Sequence, residues 1–144
     1  MISSSRSLGG GLSYKAGGTI HIARFVKLDS TAYQILECTS GDAALGIMQE
    51  GMSSPPGLNS SVDATVAAVS GDKATFNIYQ AGDLCRVWCI NAVTAGQMLK
   101  ASTGGKATPH TSGGALCGAV AITSGNPDDL IQCLVLGPNN YVSL

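Results

Sequence analysis

Charge, aromatic rings and long apolar runs are all scarce in this chain, and each scarcity closes off a class of function. Lys, Arg, Asp and Glu make up 12 % of the 144 residues, about half of the roughly 25 % usual for a soluble domain. The eight Lys and Arg are scattered and the formal net charge is −1. No basic stripe forms, so phosphate-dominated binding to nucleic acid is not expected. The longest apolar run, ALCGAVAI at 115–122, is far short of the roughly 18 residues a membrane-spanning helix needs, and no membrane partner is expected. The first 18 residues hold no apolar stretch of signal-peptide length, which predicts cytoplasmic synthesis without secretion.

Chemistry is equally sparse. The two histidines, His21 and His110, stand apart from each other and from any acidic partner. They read as surface residues, because a general base needs positioned neighbours. There is no G-x-S-x-G elbow. Five cysteines, Cys38, Cys85, Cys89, Cys117 and Cys133, are scattered through strand-like apolar runs and read as small buried hydrophobes. Cys85 and Cys89 share a strand face about 13 Å apart by strand rise, too far for one tetrahedral metal. GGKAT at 104–108 has Ala107 where a phosphate loop needs Ser or Thr, and Asp128-Asp129 reads as a solvated turn. The expectation is therefore no catalytic residue, no metal and no cofactor.

What the chain has in quantity is glycine, 19 residues, close to double the usual share of about 7 %. Residues 1–18 are Ser/Gly-rich and read as a flexible arm, leaving 19–144 as a single β-rich domain. From Thr19 the apolar pattern has period two: Ile20, Ile22, Val26 and Leu28 share a phase. Arg24 and Phe25 break that phase and predict a bulge or a strand covered on both faces. YQILEC at 33–38, ALGIMQE, ATFNIYQ, LCRVWCIN, QMLKA, ALCGAVAI and DLIQCLVLG follow as strand candidates, separated by Gly-containing turns. Residues 58–70 are ambiguous: Ser60 or Ser61 could cap a short helix or turn, the reading taken here, while the β-branched Val62, Val66 and Val69 also permit a strand. Trp88 reads as a core anchor. Short strands at this spacing predict an all-β fold, a small β-barrel or sandwich of short antiparallel strands. Between two of them lies GMSSPPG at 51–57, where Pro55-Pro56 fixes φ twice and admits neither helix nor sheet interior.

Together these segments resemble a known group. The run GDLCRVWCINAVTAGQMLKASTGGKATPH, followed by LCGAVAITSGNPDDLIQCLVLG, is similar to the C-terminal half of tailed-phage capsid decoration, or cement, proteins. Gly82, Asp83, Ala95, Gly96, Leu99, Gly105, Gly118, Ala119, Asp129, Ile131 and Leu134 occupy the corresponding places. GDAALGIMQEGMSSPPG looks like the strand and loop that follow the first hairpin in that group. The resemblance spans roughly residues 19–137.

The resemblance implies a non-enzymatic virion protein on the outer capsid surface. Such a protein would be a homotrimer that binds the major capsid protein and bridges neighbouring shell subunits. Its expected contact residues lie in the arm and the Pro-Pro loop: Leu8, Leu12, Tyr14, Gly51, Met52, Pro55, Pro56 and Leu58. A loop stiffened by two prolines loses little entropy on docking. The alternative keeps the fold and makes it an attachment module for carbohydrate or a host receptor on a tail or fibre, with Tyr14, Tyr79 and Tyr141 as its exposed rings. A thiol-dependent enzyme would need a Cys-His pair, and none is visible in the sequence.

Overall fold

The computed structural model describes residues 14–49, 66–71 and 78–143, and among them the fold is all-β. Its strands are β1 (Lys15–Ala16), β2 (Ile20–His21), β3 (Arg24–Leu28), β4 (Gln34–Glu37), β5 (Gly46–Met48), β6 (Val66–Ala68) and β7 (Ile78–Tyr79) in the first half. The second half holds β8 (Leu84–Trp88), β9 (Met98–Ala101), β10 (Ala107–Pro109), β11 (Gly114–Leu116), β12 (Ala119–Ala121), β13 (Leu130–Val135) and β14 (Tyr141–Ser143). The N-terminal sheet has the order β1-β4-β3-β5-β7 and the C-terminal sheet β10-β9-β12-β13-β8. Two ribbons, β2–β6 and β11–β14, complete the architecture.

Strand periodicity accounts for how these pieces stack. Along β3, Phe25 and Val26 are both fully buried but belong to different cores, because successive side chains leave opposite faces of a strand. Phe25 and Ile47 face the C-terminal sheet and pack with Val87, Leu99, Ala119, Ile131 and Val135. Val26, Ile35 and Met48 face the other way and pack with Ile20, Ala67, Ala68 and Ile78. The N-terminal sheet is thus covered on both sides. The phase break at Arg24-Phe25 has this cause, together with an interruption at Ala23, whose φ is 56°. That turn splits the expected 19–28 strand into β2 and β3.

Two glycines of the resemblance hold the fold rather than a contact. Gly82 takes φ 92° in the turn into β8, a region costly for residues with a Cβ. A Cβ on Gly118 would lie 2.8 Å from Phe25 Cε1 and 3.0 Å from Ala44 Cβ. The expected 115–122 strand divides at this point because its partners change: β11 pairs with β14, β12 with β9 and β13. Nearby carboxylates close turns: Asp83 Oδ2 accepts from Gln80 N at 2.9 Å and Asp129 Oδ2 from Asn126 N at 2.8 Å.

Several expectations need correction. Residues 15–16 do not belong to an arm: β1 pairs with β4, Lys15 opposite Gln34, and Ala16 is fully buried. This pairing is parallel, whereas the other named strand pairs are antiparallel. Val66–Ala68 is a strand rather than a helix, as its valine and its pairing with Ile20 demand. Between QMLKA and ALCGAVAI, where no element was expected, lie β10 and a 3-10 turn at Thr103–Gly105. The closing strand β14 went unpredicted.

Candidate interaction surface

Along β8 and β13 the side chains alternate in and out. Val87, Ile131 and Cys133 point into the core, while Leu84, Arg86, Leu130 and Gln132 are exposed. Leu84 is 64 % exposed, and Leu130 and Ile122 are each 45 % exposed. Together with Ile22, Gln49, Tyr79 and Cys85 they line an open groove of about 780 Å³ between this sheet and the edge of the N-terminal one. Its one formal charge is Arg86, which makes no ion pair among the described residues. An apolar trough with a single unpaired guanidinium is suited to another protein surface of matching character.

β8, an edge strand, is pinned on its free side where it borders the groove. Gln49 Nε2 donates to Arg86 O at 2.8 Å and Arg86 N donates to Gln49 Oε1 at 3.3 Å. The side-chain amide thereby stands in for a missing strand, which blunts an otherwise open edge. Trp88 N donates to Ala23 O at 2.8 Å, which explains why the turn at Ala23 is held so tightly.

At the end of β8, Trp88 does not enter either core cluster. Its ring lies 5.0 Å from the Arg24 guanidinium carbon and 5.7 Å from Lys106 Nζ, within cation–π range. Arg24 is nearly buried and donates from Nη1 to Gly104 O at 2.8 Å. It ties β3 to the 3-10 turn, with no carboxylate partner among the described residues. Lys106 reaches Asp128 Oδ1 at 3.4 Å. This cluster locks the two halves together, so Trp88 is an inter-sheet clamp rather than the expected core anchor.

The titratable groups have structural partners. His21 Nδ1 lies 2.8 Å from Glu37 Oε2. His110 is buried, against the surface reading, with Nε2 3.0 Å from both Gly113 O and Val142 O. Two carbonyl acceptors require Nε2 to carry the proton, and the ring so fastens β14. Burial pushes the Cys38 thiol up to about 12 and the Cys89 thiol up to about 11, so both stay protonated and unreactive at neutral pH. All five cysteines are free, and all but the half-buried Cys85 are buried. Among the described residues no three His, Cys, Asp or Glu side chains are grouped to hold a metal.

Of the residues expected to make contacts, Leu8, Leu12, Gly51, Met52, Pro55, Pro56 and Leu58 lie outside the described residues. Tyr14 is half-buried and packs against the N-terminal core. The three tyrosines of the attachment reading sit on separate elements: Tyr14 ahead of β1, Tyr79 on the groove and Tyr141 on the C-terminal ribbon. Sequence reasoning missed Leu84, Arg86, Ile122 and Leu130. The signal was present in the alternation: Leu84 falls in phase with Arg86, and Leu130 with Gln132, the outward phase of each strand.

No protein-family profile matches the chain, and no curated protein does either. Among solved structures, the crystal structure of the N base of head fiber gp8.5 of bacteriophage phi29 superposes with a TM-score of 0.57 at 13 % identity. The match covers 85 % of this chain and 90 % of that one. What the two proteins share is the fold.

Proposed function

We propose that this chain is a non-catalytic structural protein of a tailed-phage particle, one that docks on the outside of the head and bridges neighbouring copies of the major capsid protein. The observation that carries the reading is the apolar groove over Leu84, Ile122 and Leu130, on a fold shared with the base of a phage head fibre. Its occupant would be an apolar ridge of the shell subunit with a carboxylate placed against Arg86, which has no ion pair among the described residues. The chain would act as a homotrimer, so that each assembly spans several shell subunits. A protein that binds across a subunit boundary, and not to separated subunits, stabilises the closed shell by mass action. A small gain per site is repeated at every site on the shell.

The test is co-sedimentation of the purified chain with emptied, expanded heads, comparing the wild type with Leu84→Asp and Leu130→Asp. Saturable binding that both substitutions weaken at least tenfold is expected. Undiminished binding by folded variants would remove the groove from the reading, and no binding at all would remove the head. A fibre-borne role is the second reading, favoured by the head-fibre neighbour. Copy number in purified particles separates the two: hundreds fit decoration, a few to a few dozen fit a fibre or tail.

A further inference from the structure

Cys85 and Cys133 stand directly opposite each other on neighbouring antiparallel strands, with their sulfurs 3.9 Å apart. Residues facing one another across such a ladder have Cα atoms about 4.5–5.5 Å apart, inside the roughly 4.4–6.8 Å that a disulfide spans. Cys85 is the one cysteine with partial exposure, and it lines the groove. Cys133 lies behind it, fully buried. We infer that Cys85 and Cys133 form an oxidisable dithiol, a modification site at which a small-molecule disulfide entering the groove is exchanged for a covalent staple between β8 and β13. This inference goes beyond the proposed role and does not depend on it.

The exchange takes two steps. The Cys85 thiolate attacks one sulfur of glutathione disulfide, forming a mixed disulfide and expelling one glutathione thiolate. Cys133 then loses its proton to that thiolate or to solvent and attacks the Cys85 sulfur, expelling the second glutathione. Two electrons pass from the cysteine pair to the oxidant, and the two thiol protons end on two glutathione thiols. In the reduced pair the contact with the Cys85 thiol and then burial hold the Cys133 thiol protonated, above the ordinary thiol range. Once Cys85 is in the mixed disulfide the burial remains, so the second step is the slow one. In a reducing cytoplasm the pair stays as two thiols, and in an oxidising medium it closes. The bond would join residues 48 apart in sequence, a long loop of the kind that constrains the unfolded chain most.

The full chain is incubated with excess glutathione disulfide, quenched by alkylation and mapped by peptide mass spectrometry. The expected result is loss of two of the five alkylatable thiols, a Cys85–Cys133 linked peptide, and a melting temperature raised by about 5–10 °C. Cys85→Ser removes the product and Cys117→Ser leaves it intact. Five free thiols after prolonged oxidation, a stable glutathione adduct on Cys85, or a bond to any other cysteine would each overturn the inference, and all are read on the unmutated protein.

Discussion

The two sheets of this protein are built from similar strands but use their faces differently. The N-terminal sheet buries both: Phe25 and Ile47 on one side, Val26, Ile35 and Met48 on the other. Along β8 and β13, the C-terminal sheet buries one face and leaves Leu84 and Leu130 exposed on the other. A side chain buried on folding contributes about 1.5–3 kcal/mol, and the N-terminal sheet spends nearly all of that on its own fold. The exposed leucines of the C-terminal sheet contribute little to folding, and under the proposed function their apolar area would be covered by a partner. The proposed binding should therefore be separable from stability by sheet face.

The largest effect should come from the doubly covered sheet. Phe25→Ala empties a site in contact with both Gly118 and the inter-sheet core and should cost about 3–5 kcal/mol, read by urea denaturation. If Leu130→Ala cost as much, the two faces would not differ as argued. Next in size is the converse. The charged variants Leu84→Asp and Leu130→Asp should change unfolding free energy by no more than about 0.5 kcal/mol, as for most exposed positions, while weakening binding to heads by tenfold or more. A smaller loss, about 0.5–1.5 kcal/mol, is expected from Gln49→Ala, which removes both bonds to the Arg86 backbone. Hydrogen exchange at Arg86 N should accelerate while that of Val87 N changes little.

The same contrast explains what could be read from the sequence. Turns were legible because they are local: Asp83 and Asp129 bond backbone three residues away, and glycine marks the turn into β8. The all-β class followed from those turns and the alternation between them. The doubly covered sheet was legible only as a disturbance, the phase break at Arg24-Phe25, since alternation carries no information about what covers each face. β14 was invisible because its partners, His110 and the β11 strand, come from a distant stretch of chain. The groove was half legible: the outward phase of Leu84 and Leu130 could be counted, but their approach to Tyr79 and Ile122 depends on how β7 and β8, the edges of two sheets, are brought together. Trp88 misled for the same reason, as its cationic neighbours lie on β3 and beside β10.

The smallest effect tests the seam between the sheets. Lys27, on β3, donates to Asp42 Oδ2 at 2.6 Å, and the same oxygen accepts from Thr39 N and Oγ1. Gly41 N of this turn donates to Ala101 O of the C-terminal sheet at 3.2 Å. Burial pulls the Asp42 carboxyl upward, but the bonds from Lys27 and Thr39 outweigh it and hold it below its ordinary value. The Lys27 ammonium is raised, chiefly by its bond to Asp42. A depressed carboxyl stabilises the fold above its unfolded pKa of about 3.9, and that contribution disappears as pH falls through the folded value. A raised ammonium contributes below about pH 10.4 and is lost as pH rises through its folded value. Both side chains are about a quarter exposed, so the pair is worth less than about 1 kcal/mol. Asp42→Asn should lower stability by that amount at neutral pH and by much less in strong acid, where the wild-type carboxyl is itself protonated. The two stability curves should therefore converge below about pH 4. Curves that stay parallel throughout would mean that the turn is held by its backbone bond to the C-terminal sheet and that the carboxylate adds nothing to the seam.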